Sequence, residues 1–228
     1  MKINCFLPCR KGSERVPKKN IKHFANIEFG LIEIKLKQLL ACDGIKQIFL
    51  STNDEEILEF ASSFSTDKLV VHKRCEELSS SSTSTDDLIS HALDLIPKGH
   101  ILWTHVTSPF VTASDYDNVI EQYSLALKEG YDSLMSTNLI HGFLWNTQGP
   151  INYDRNREKW PRTQTIKPIH EINSAVFLNS TENYKMYNDR IGKNPYLYPM
   201  NKIQSFDIDW EEDFKIAEAM FLSKVAQI

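Results

Sequence analysis

The chain has 228 residues, of which 41% are hydrophobic and 25% are charged, and its formal net charge at pH 7 is −4. This composition predicts one globular domain with a substantial core and excludes a fibrous or disordered chain. The negative charge argues against binding to nucleic acid or to an anionic membrane surface. The sequence shows no apolar run long enough to span a bilayer and no secretory signal, so we expect a cytoplasmic protein.

The first predicted strand, residues 2–7, leads into a loop crowded with cations. Residues 7–20 (LPCRKGSERVPKKN) contain five lysines or arginines and one glycine. A loop in this position lies at the ligand crevice of an open α/β sheet, where glycine lets backbone amides approach phosphate oxygens and arginine binds them through two parallel hydrogen bonds. The loop therefore predicts a phosphate-bearing ligand, and an ordinary solvated basic loop is the alternative.

Strand-like and helix-like segments alternate through the first half of the chain, which is typical of a mostly parallel sheet covered by helices. We predict further strands at residues 47–51, 68–72, 100–106 and 132–136. Asn53 is expected to cap the helix after the first of these strands, and Thr112 or Ser114 to begin the helix that precedes the last.

The pattern changes between residues 138 and 171, where aromatic, proline and basic residues replace regular periodicity. We interpret this segment as a lobe inserted into a single domain of residues 1–228, suited to a subunit interface or to a ligand pocket. Beyond it, residues 172–178 and 203–208 are predicted as the last strands, followed by a closing amphipathic helix.

Four polar segments near predicted strand ends outline one site: the cationic loop and residues 79–87, 107–109 and 207–209. Asp207 and Asp209 are one residue apart, so at a strand end both carboxylates would point to the same side and could hold Mg²⁺. Asp209 also has capping-box spacing before the last helix, so a helix cap is the alternative.

Residues 7–20 resemble the N-terminal signature of the acylneuraminate cytidylyltransferases, the CMP-sialic acid synthetase family, in which Ala-Arg-x-Gly-Ser-Lys-x-x-Pro-x-Lys-Asn wraps CTP. Further elements of that family match in order: Arg-Pro-x-x-Leu at residues 74–78, Thr-Ser-Pro at 107–109, Arg-x-Gln at 162–164, Asn-Gly-Ala at 173–175 and the paired aspartates at 207–209. The resemblance covers nearly the whole chain. It implies a Rossmann-like α/β fold, a mostly parallel sheet flanked by helices, with residues 138–171 as an inserted dimerisation lobe.

The resemblance implies transfer of CMP from CTP to the anomeric hydroxyl of an acidic sugar, a sialic-acid-like nonulosonic acid, with release of pyrophosphate by a Mg²⁺-dependent homodimer. The catalytic residues it implies are Arg10, Lys19, Asp207 and Asp209, the two aspartates also holding the metal. The implied nucleotide-binding residues are Arg10, Gly12, Ser13, Arg15, Lys19, Asn20 and Ser84. The implied acceptor-binding residues are His105, Thr107, Ser108, Arg162, Gln164 and Asn173.

Three residues depart from the family pattern: Glu14 replaces a common lysine, Ser81 a common aspartate, and His105 a glutamine associated with the sugar. The nucleotide is therefore better defined than the acceptor. A cytidylyltransferase for another acidic sugar, such as an eight-carbon keto acid, and a catalytically silent CTP-binding homologue are the alternatives.

Several of these residues also have structural interpretations. A strand histidine such as His105 is commonly structural, and Ser84 with Thr85 could cap the following helix. Four residues of the lobe and its end could reach the acceptor or form solvated surface: Arg162, Lys167, His170 and Glu171.

Overall fold

The computed structural model describes residues 1–80 and 82–228. Nine strands lie within these residues: β1 (Ile3–Cys9), β2 (Ile45–Thr52), β3 (Leu69–Lys73), β4 (His100–Thr104), β5 (Ser133–Ile140), β6 (Trp145–Asn146), β7 (Gly149–Pro150), β8 (Ile169–Ser180) and β9 (Pro195–Met200). Six α-helices accompany them: α1 (Gly30–Ala41), α2 (Glu55–Ser62), α3 (Thr85–Leu95), α4 (Ala113–Lys128), α5 (Thr181–Tyr187) and α6 (Glu211–Leu222). None of the helices in the described part of the chain is both long and apolar enough to cross a membrane.

Seven strands form one sheet in the order β3-β2-β1-β4-β8-β5-β9. Neighbouring strands run parallel except at β8, which is antiparallel to both β4 and β5. The mostly parallel, Rossmann-like α/β fold predicted from the sequence is therefore confirmed. The interior strand β1 is almost wholly buried, as expected for a strand covered by helices on both faces.

Side chains alternate between the two faces of the sheet and build two apolar clusters. Along β1, Cys5 and Leu7 belong to the larger cluster, which α1, α2, α4 and α6 cover, whereas Phe6 belongs to the smaller one beneath α3 and α5. This two-sided burial leaves the loops at the carboxyl ends of β1 and β4 as the accessible edge of the sheet centre.

The predicted strand over residues 203–208 is wrong, because the chain forms turns and a loop there. The Oδ1 of Asn201 accepts hydrogen bonds from the backbone N–H groups of Ile203 (2.9 Å) and Gln204 (3.0 Å), which starts the turn. The last strand is instead β9, which contains Pro195 and Pro199 and lies at the sheet edge. Proline is tolerated there because an edge strand has N–H groups that pair with no neighbour.

Two element ends differ from the predictions, and a third is confirmed. Asp54, not Asn53, caps α2, since its Oδ1 accepts from the backbone N–H of Glu56 at 3.1 Å. The strand predicted over residues 100–106 ends at Thr104. Of the two residues predicted to begin α4, Thr112 is the N-cap and forms a capping box with Asp115.

The segment predicted as a lobe is partly a continuation of the main sheet. Strand β5 extends to Ile140 and β8 begins at Ile169, and Asn138 pairs with Glu171 between them. The short hairpin of β6 and β7 lies between these strands. The irregular composition of residues 138–171 concealed the strand ends, because their side chains do not alternate between buried and exposed.

Candidate active site

Two adjoining cavities lie at the carboxyl ends of β1 and β4. One, of about 270 Å³, is lined by Pro8, Cys9, Arg10, Ser13, Glu14, Arg15, Lys19, Asn20, His105, Val106 and Thr107. The other, of about 230 Å³, shares Pro8, Arg10 and His105 with it and adds Arg74, Leu78, Ser80, Thr83 and Leu88. The structure thus brings the predicted cationic loop and the residues after β4 together around one groove.

Local hydrogen bonds fix the course of the cationic loop. Asn20 donates through Nδ2 to the Arg10 carbonyl at 3.0 Å, and the Lys11 amide donates to Asn53 Oδ1 at 2.8 Å. Gly12 adopts a φ of +81°, which glycine accommodates without strain. The Arg10 side chain is therefore presented at the wall between the two cavities while the backbone behind it is held on both sides.

Lys19 connects this loop to the distant aspartates. Its buried Nζ donates to the Ile208 carbonyl at 2.7 Å and lies 3.7 Å from Asp209 Oδ1, and the Ile208 amide donates to the Thr107 carbonyl at 2.9 Å. Burial lowers the pKa of Lys19, and the nearby charges of Asp209 and Asp207 oppose that shift. Residues 207–209 are therefore held between the cationic loop and the loop after β4, although they belong to no strand.

The two aspartates have different surroundings. Burial raises the pKa of Asp207, a hydrogen bond from Thr107 opposes the rise, and the charge of Asp209 adds to it. Asp209 forms an ion pair with Arg15 at 3.1 Å, and the Arg15 guanidinium lies 5.1 Å from the centre of the Trp210 ring.

The alternative of Asp209 as a helix cap is not what the structure contains. The N-cap of α6 is Trp210, and the carboxylate that accepts the free amides at this end belongs to Asp213, whose Oδ2 lies 2.7 Å from the Trp210 amide and 3.0 Å from that of Asp209. The Asp209 carboxylate therefore faces Arg15 and Lys19, not its own helix.

The donor set at residues 207–209 suits Mg²⁺ bound together with phosphate. Residues 1–80 and 82–228 contain no cluster of three or more histidine, cysteine, aspartate or glutamate side chains that would form an all-protein metal site. Magnesium commonly uses one or two carboxylates and completes its shell with water and phosphate oxygens. The charge of Asp209 contributes to the raised pKa of Asp207, and a divalent cation held by both carboxylates would offset that repulsion.

His105 and Ser108 lie on the loop after β4 and have distinct contacts. His105 Nε2 accepts from the Trp103 indole at 3.2 Å, which leaves the imidazole proton on Nδ1. Burial, with smaller effects from Arg190, Lys35 and Lys19, lowers the His105 pKa to about 4, so the ring is neutral at pH 7. Ser108 is buried and its carbonyl accepts from Lys35, so it supports the loop from behind.

Other predicted site residues are occupied elsewhere or exposed. Ser84 caps α3, with Oγ accepting from the Asp87 amide at 3.1 Å, as its structural alternative predicted. Asn173 bridges Ser136 and Asn138 at the root of the lobe. Arg162 and Gln164 are exposed in the lobe and line neither of the two cavities. The departure noted at Ser81 lies outside the described residues.

Arg74 is a residue of this groove to which the sequence analysis gave no role. Its side chain is 3% exposed, lines the second cavity, and has Nε and Nη2 atoms without a hydrogen-bond partner in the described part of the chain. A buried guanidinium with unused N–H donors is suited to bind an anion or a carbonyl oxygen, which would accept those hydrogen bonds. The match of residues 74–78 to a family element was the available signal.

A family model described as cytidylyltransferase matches residues 5–227. The chain belongs to the cytidylyltransferase family. An N-acylneuraminate cytidylyltransferase of Streptococcus agalactiae serotype V is 26% identical over 94% of this chain and 52% of its own length, and N-acylneuraminate cytidylyltransferase A of Danio rerio is 28% identical over 96% and 51%. This chain thus spans about half the length of those relatives. The resemblance drawn from the sequence motifs is confirmed.

Two further similarities bear on the fold of this cytidylyltransferase. A pseudaminic acid cytidylyltransferase of Campylobacter jejuni is 24% identical over 97% of both chains. The structure of a CMP:2-keto-3-deoxy-manno-octonic acid synthetase complexed with CTP superposes with a TM-score of 0.66 at 13% identity, covering 98% of this chain and all of that one. At that identity the structural match establishes a shared fold.

Proposed function

We propose that this chain transfers CMP from CTP to the anomeric hydroxyl of a nonulosonic acid, releasing pyrophosphate. The observation that carries the proposal is the connection through Lys19, which joins the cationic loop after β1 to residues 207–209 at the end of β4. Cations for a triphosphate and carboxylates for a metal thereby meet at one groove, as a transfer at the α-phosphorus requires.

The cationic loop is proposed to hold the nucleotide. Arg10 and Lys19 bind triphosphate oxygens, and Arg15 joins them once phosphate competes for its contact with Asp209. The backbone around Gly12 and Ser13 approaches the phosphates, and Asn20 contacts the nucleotide while it fixes Arg10 through the carbonyl. Arg74 supplies further donors from the second cavity.

Mg²⁺, held by Asp207 and Asp209, would neutralise charge on the phosphates and favour ionisation of the attacking hydroxyl. The sugar hydroxyl releases its proton to solvent and attacks the α-phosphorus in line; a new O–P bond forms and the bond to the departing pyrophosphate breaks. The part of the protein in this step is positioning and charge stabilisation, since Arg10 and Lys19 face the oxygens on which negative charge grows. We assign no residue as general base.

The acceptor is proposed to occupy the far side of His105 from the nucleotide. Neutral His105 can donate a hydrogen bond through Nδ1 to a sugar hydroxyl. The side-chain amide of a glutamine at this position could donate the same hydrogen bond. Thr107 and Ser108 follow His105 on the same loop, with Ser108 acting through the backbone that Lys35 supports.

We further propose a homodimer formed through residues 138–171. The lobe exposes Trp145 (48%), Trp160 (65%) and Phe143 (37%) in one cluster, with the Arg155 guanidinium 5.3 Å and 5.6 Å from the two indole rings. Tryptophan and other aromatic side chains, together with arginine, are enriched at the centres of protein–protein interfaces. Such an interface would also bring Arg162 and Gln164 from solvent to the boundary between subunits.

A product assay tests the reaction. The purified protein is incubated with Mg²⁺, each of the four ribonucleoside triphosphates and, separately, a nine-carbon and an eight-carbon keto sugar acid, and products are identified by mass spectrometry. We expect a CMP-linked nine-carbon acid and pyrophosphate when the nucleotide is CTP, and no product with the other three nucleoside triphosphates. Product only from the eight-carbon acid would change the acceptor; CTP binding without product from either acid would contradict the proposed activity.

A further inference from the structure

Arg190 is a cation with no anionic partner, close to the groove. It follows α5, and its guanidinium lies 4.0 Å from the centre of the Phe177 ring and 5.2 Å from that of Trp103. Within residues 1–80 and 82–228 it forms neither an ion pair nor a hydrogen bond through its side chain. The neighbouring Asp189 instead accepts from the backbone amide of Ile191.

This environment is costly for a lone guanidinium. Burial lowers the Arg190 pKa, and the nearby Tyr184 and Asp189 offset only part of that effect. Arg190 is half-buried, so its guanidinium has lost part of its hydration, and within the described residues no counter-ion replaces that loss. Stacking on two aromatic faces supplies part of the compensation and also fixes the plane of the guanidinium. The hydrogen-bond donors along its edge remain available to a ligand.

The sheet order places this cation on the acceptor side of the groove. Strand β4 lies between β1, whose loop carries the nucleotide-binding cations, and β8, which carries Phe177. Phe177 is paired with Trp103 across the two strands, and Trp103 donates to His105. Among the charged groups near His105, Arg190 has the largest effect on its pKa. Arg190 is not among the residues that line the two cavities, so it lies beyond His105, on the β8 side of the groove.

We propose that Arg190 binds the carboxylate of the acceptor sugar acid and so determines that this site accepts an acid. This inference rests on the proposed function and refines it. A planar guanidinium matches a carboxylate through two parallel hydrogen bonds, whereas Arg162 and Lys167, which the sequence analysis considered for the acceptor, are exposed in the lobe.

The test compares the free acid with its methyl ester as acceptors. Initial rates are measured at saturating CTP with wild type, Arg190→Met and Arg190→Lys, with Lys193→Met as a matched control because Lys193 is an exposed cation three residues away. Wild type should favour the acid over the ester by about 10- to 100-fold in kcat/KM, the value of one charged pair of hydrogen bonds. Arg190→Met should raise the KM for the acid, so that the ratio of acid to ester falls to near one, and should leave the KM for CTP unchanged. Arg190→Lys should keep part of the preference, and Lys193→Met all of it.

Each other outcome has a distinct meaning. If wild type forms product and Arg190→Met, folded by its thermal melt, keeps the preference for acid over ester, the role of Arg190 is wrong while the proposed function stands. The same holds if Arg190→Met raises the KM for CTP alone. If Arg190→Met does not fold, Arg190→Lys decides, since an unchanged preference and acceptor KM in that variant would contradict recognition by the guanidinium fork. If wild type forms no product with any acid, the proposed function fails and takes this inference with it.

Discussion

At the scale of single residues, Asp207 reduces the stability of the folded protein and has a proposed role in metal binding. Its carboxylate is half-buried beside Thr107, burial raises its pKa, and the charge of Asp209 adds to that rise. Because ionisation is harder in the folded than in the unfolded protein, the charged carboxylate reduces stability at neutral pH. Asp207→Asn should therefore stabilise the protein at pH 7 while it abolishes the proposed metal-dependent reaction.

The Asp207→Asn prediction has a defined pH window. The gain in unfolding free energy should be present at pH 7 and disappear as the pH falls below about 4, where the unfolded carboxyl is also protonated. Thermal melts at pH 7 and pH 3.5 measure it, with about 2–4 °C expected for each kcal/mol gained. Asp67→Asn, at an exposed position, is the control. A variant that melts lower than wild type at pH 7 would show that Asp207 is stabilised, not strained.

Residue types and their order predicted several of the residues that form this groove. Arg10, Lys19, Asp207 and Asp209 were legible because local motifs carried them, even though the strand assigned to residues 203–208 was wrong. Arg190 belongs to no local motif. Its position near the groove depends on its tertiary contact with the Phe177 ring, which the local sequence does not report. The burial of Arg74 beside Arg10 was equally invisible, since it depends on the packing of β3 against β2.

At the scale of elements, Lys35 links α1 to the loop after β4. It is fully buried, and its Nζ donates to the Ser108 carbonyl and to the Tyr116 hydroxyl, both at 2.8 Å. Tyr116 in turn lies 2.7 Å from the Thr104 hydroxyl, so the end of β4 and α4 share one network. The loop that carries Thr107 is thereby held from behind the sheet.

Lys35 predicts a specific dependence of stability on pH. Burial lowers its pKa to about 7, so between pH 7 and its unfolded value of about 10 the folded protein binds fewer protons than the unfolded one. The contribution of Lys35 to stability should therefore be smallest below pH 7 and rise as the pH increases. Relative to Lys35→Met, wild type should gain about 2 kcal/mol from pH 7 to pH 9.

Urea unfolding at these two pH values measures the difference for Lys35→Met, with Lys37→Met as the control because Lys37 is exposed and pairs with Glu33 on its own helix. A difference between wild type and Lys35→Met that stays constant from pH 7 to pH 9 would show that the buried amine does not titrate in this range.

Elements with strong periodicity were predictable, and those set by tertiary pairing were not. Strands β1 to β4 are apolar and lie between turn residues, so their existence followed from the sequence. Helix α5 and strand β9 were missed, because α5 has only seven residues and β9 contains two prolines. The extension of β5 and β8 into the lobe depends on their mutual pairing, which no local pattern reports.

At the scale of the whole molecule, the aromatic cluster of residues 138–171 predicts the assembly. We expect wild type to elute in light-scattering chromatography with about twice the 26.3 kDa mass of one chain. The double variant Trp145→Ala/Trp160→Ala should be monomeric at micromolar concentration, because it removes two aromatic anchors. Met186→Ala, at an exposed apolar residue outside the lobe, should remain dimeric. Equal masses for wild type and the double variant would contradict an interface at this cluster.

Calorimetric titration of CTP, with Mg²⁺ and with EDTA, into wild type and into Asp207→Asn/Asp209→Asn tests most directly whether the cationic loop and the acidic pair serve one ligand. Without carboxylates to hold the ion, the variant should bind CTP equally with and without Mg²⁺, whereas wild type should bind at least about tenfold more tightly with it. Affinity of the variant that still rises with Mg²⁺ as in wild type would mean that the two aspartates do not meet the nucleotide.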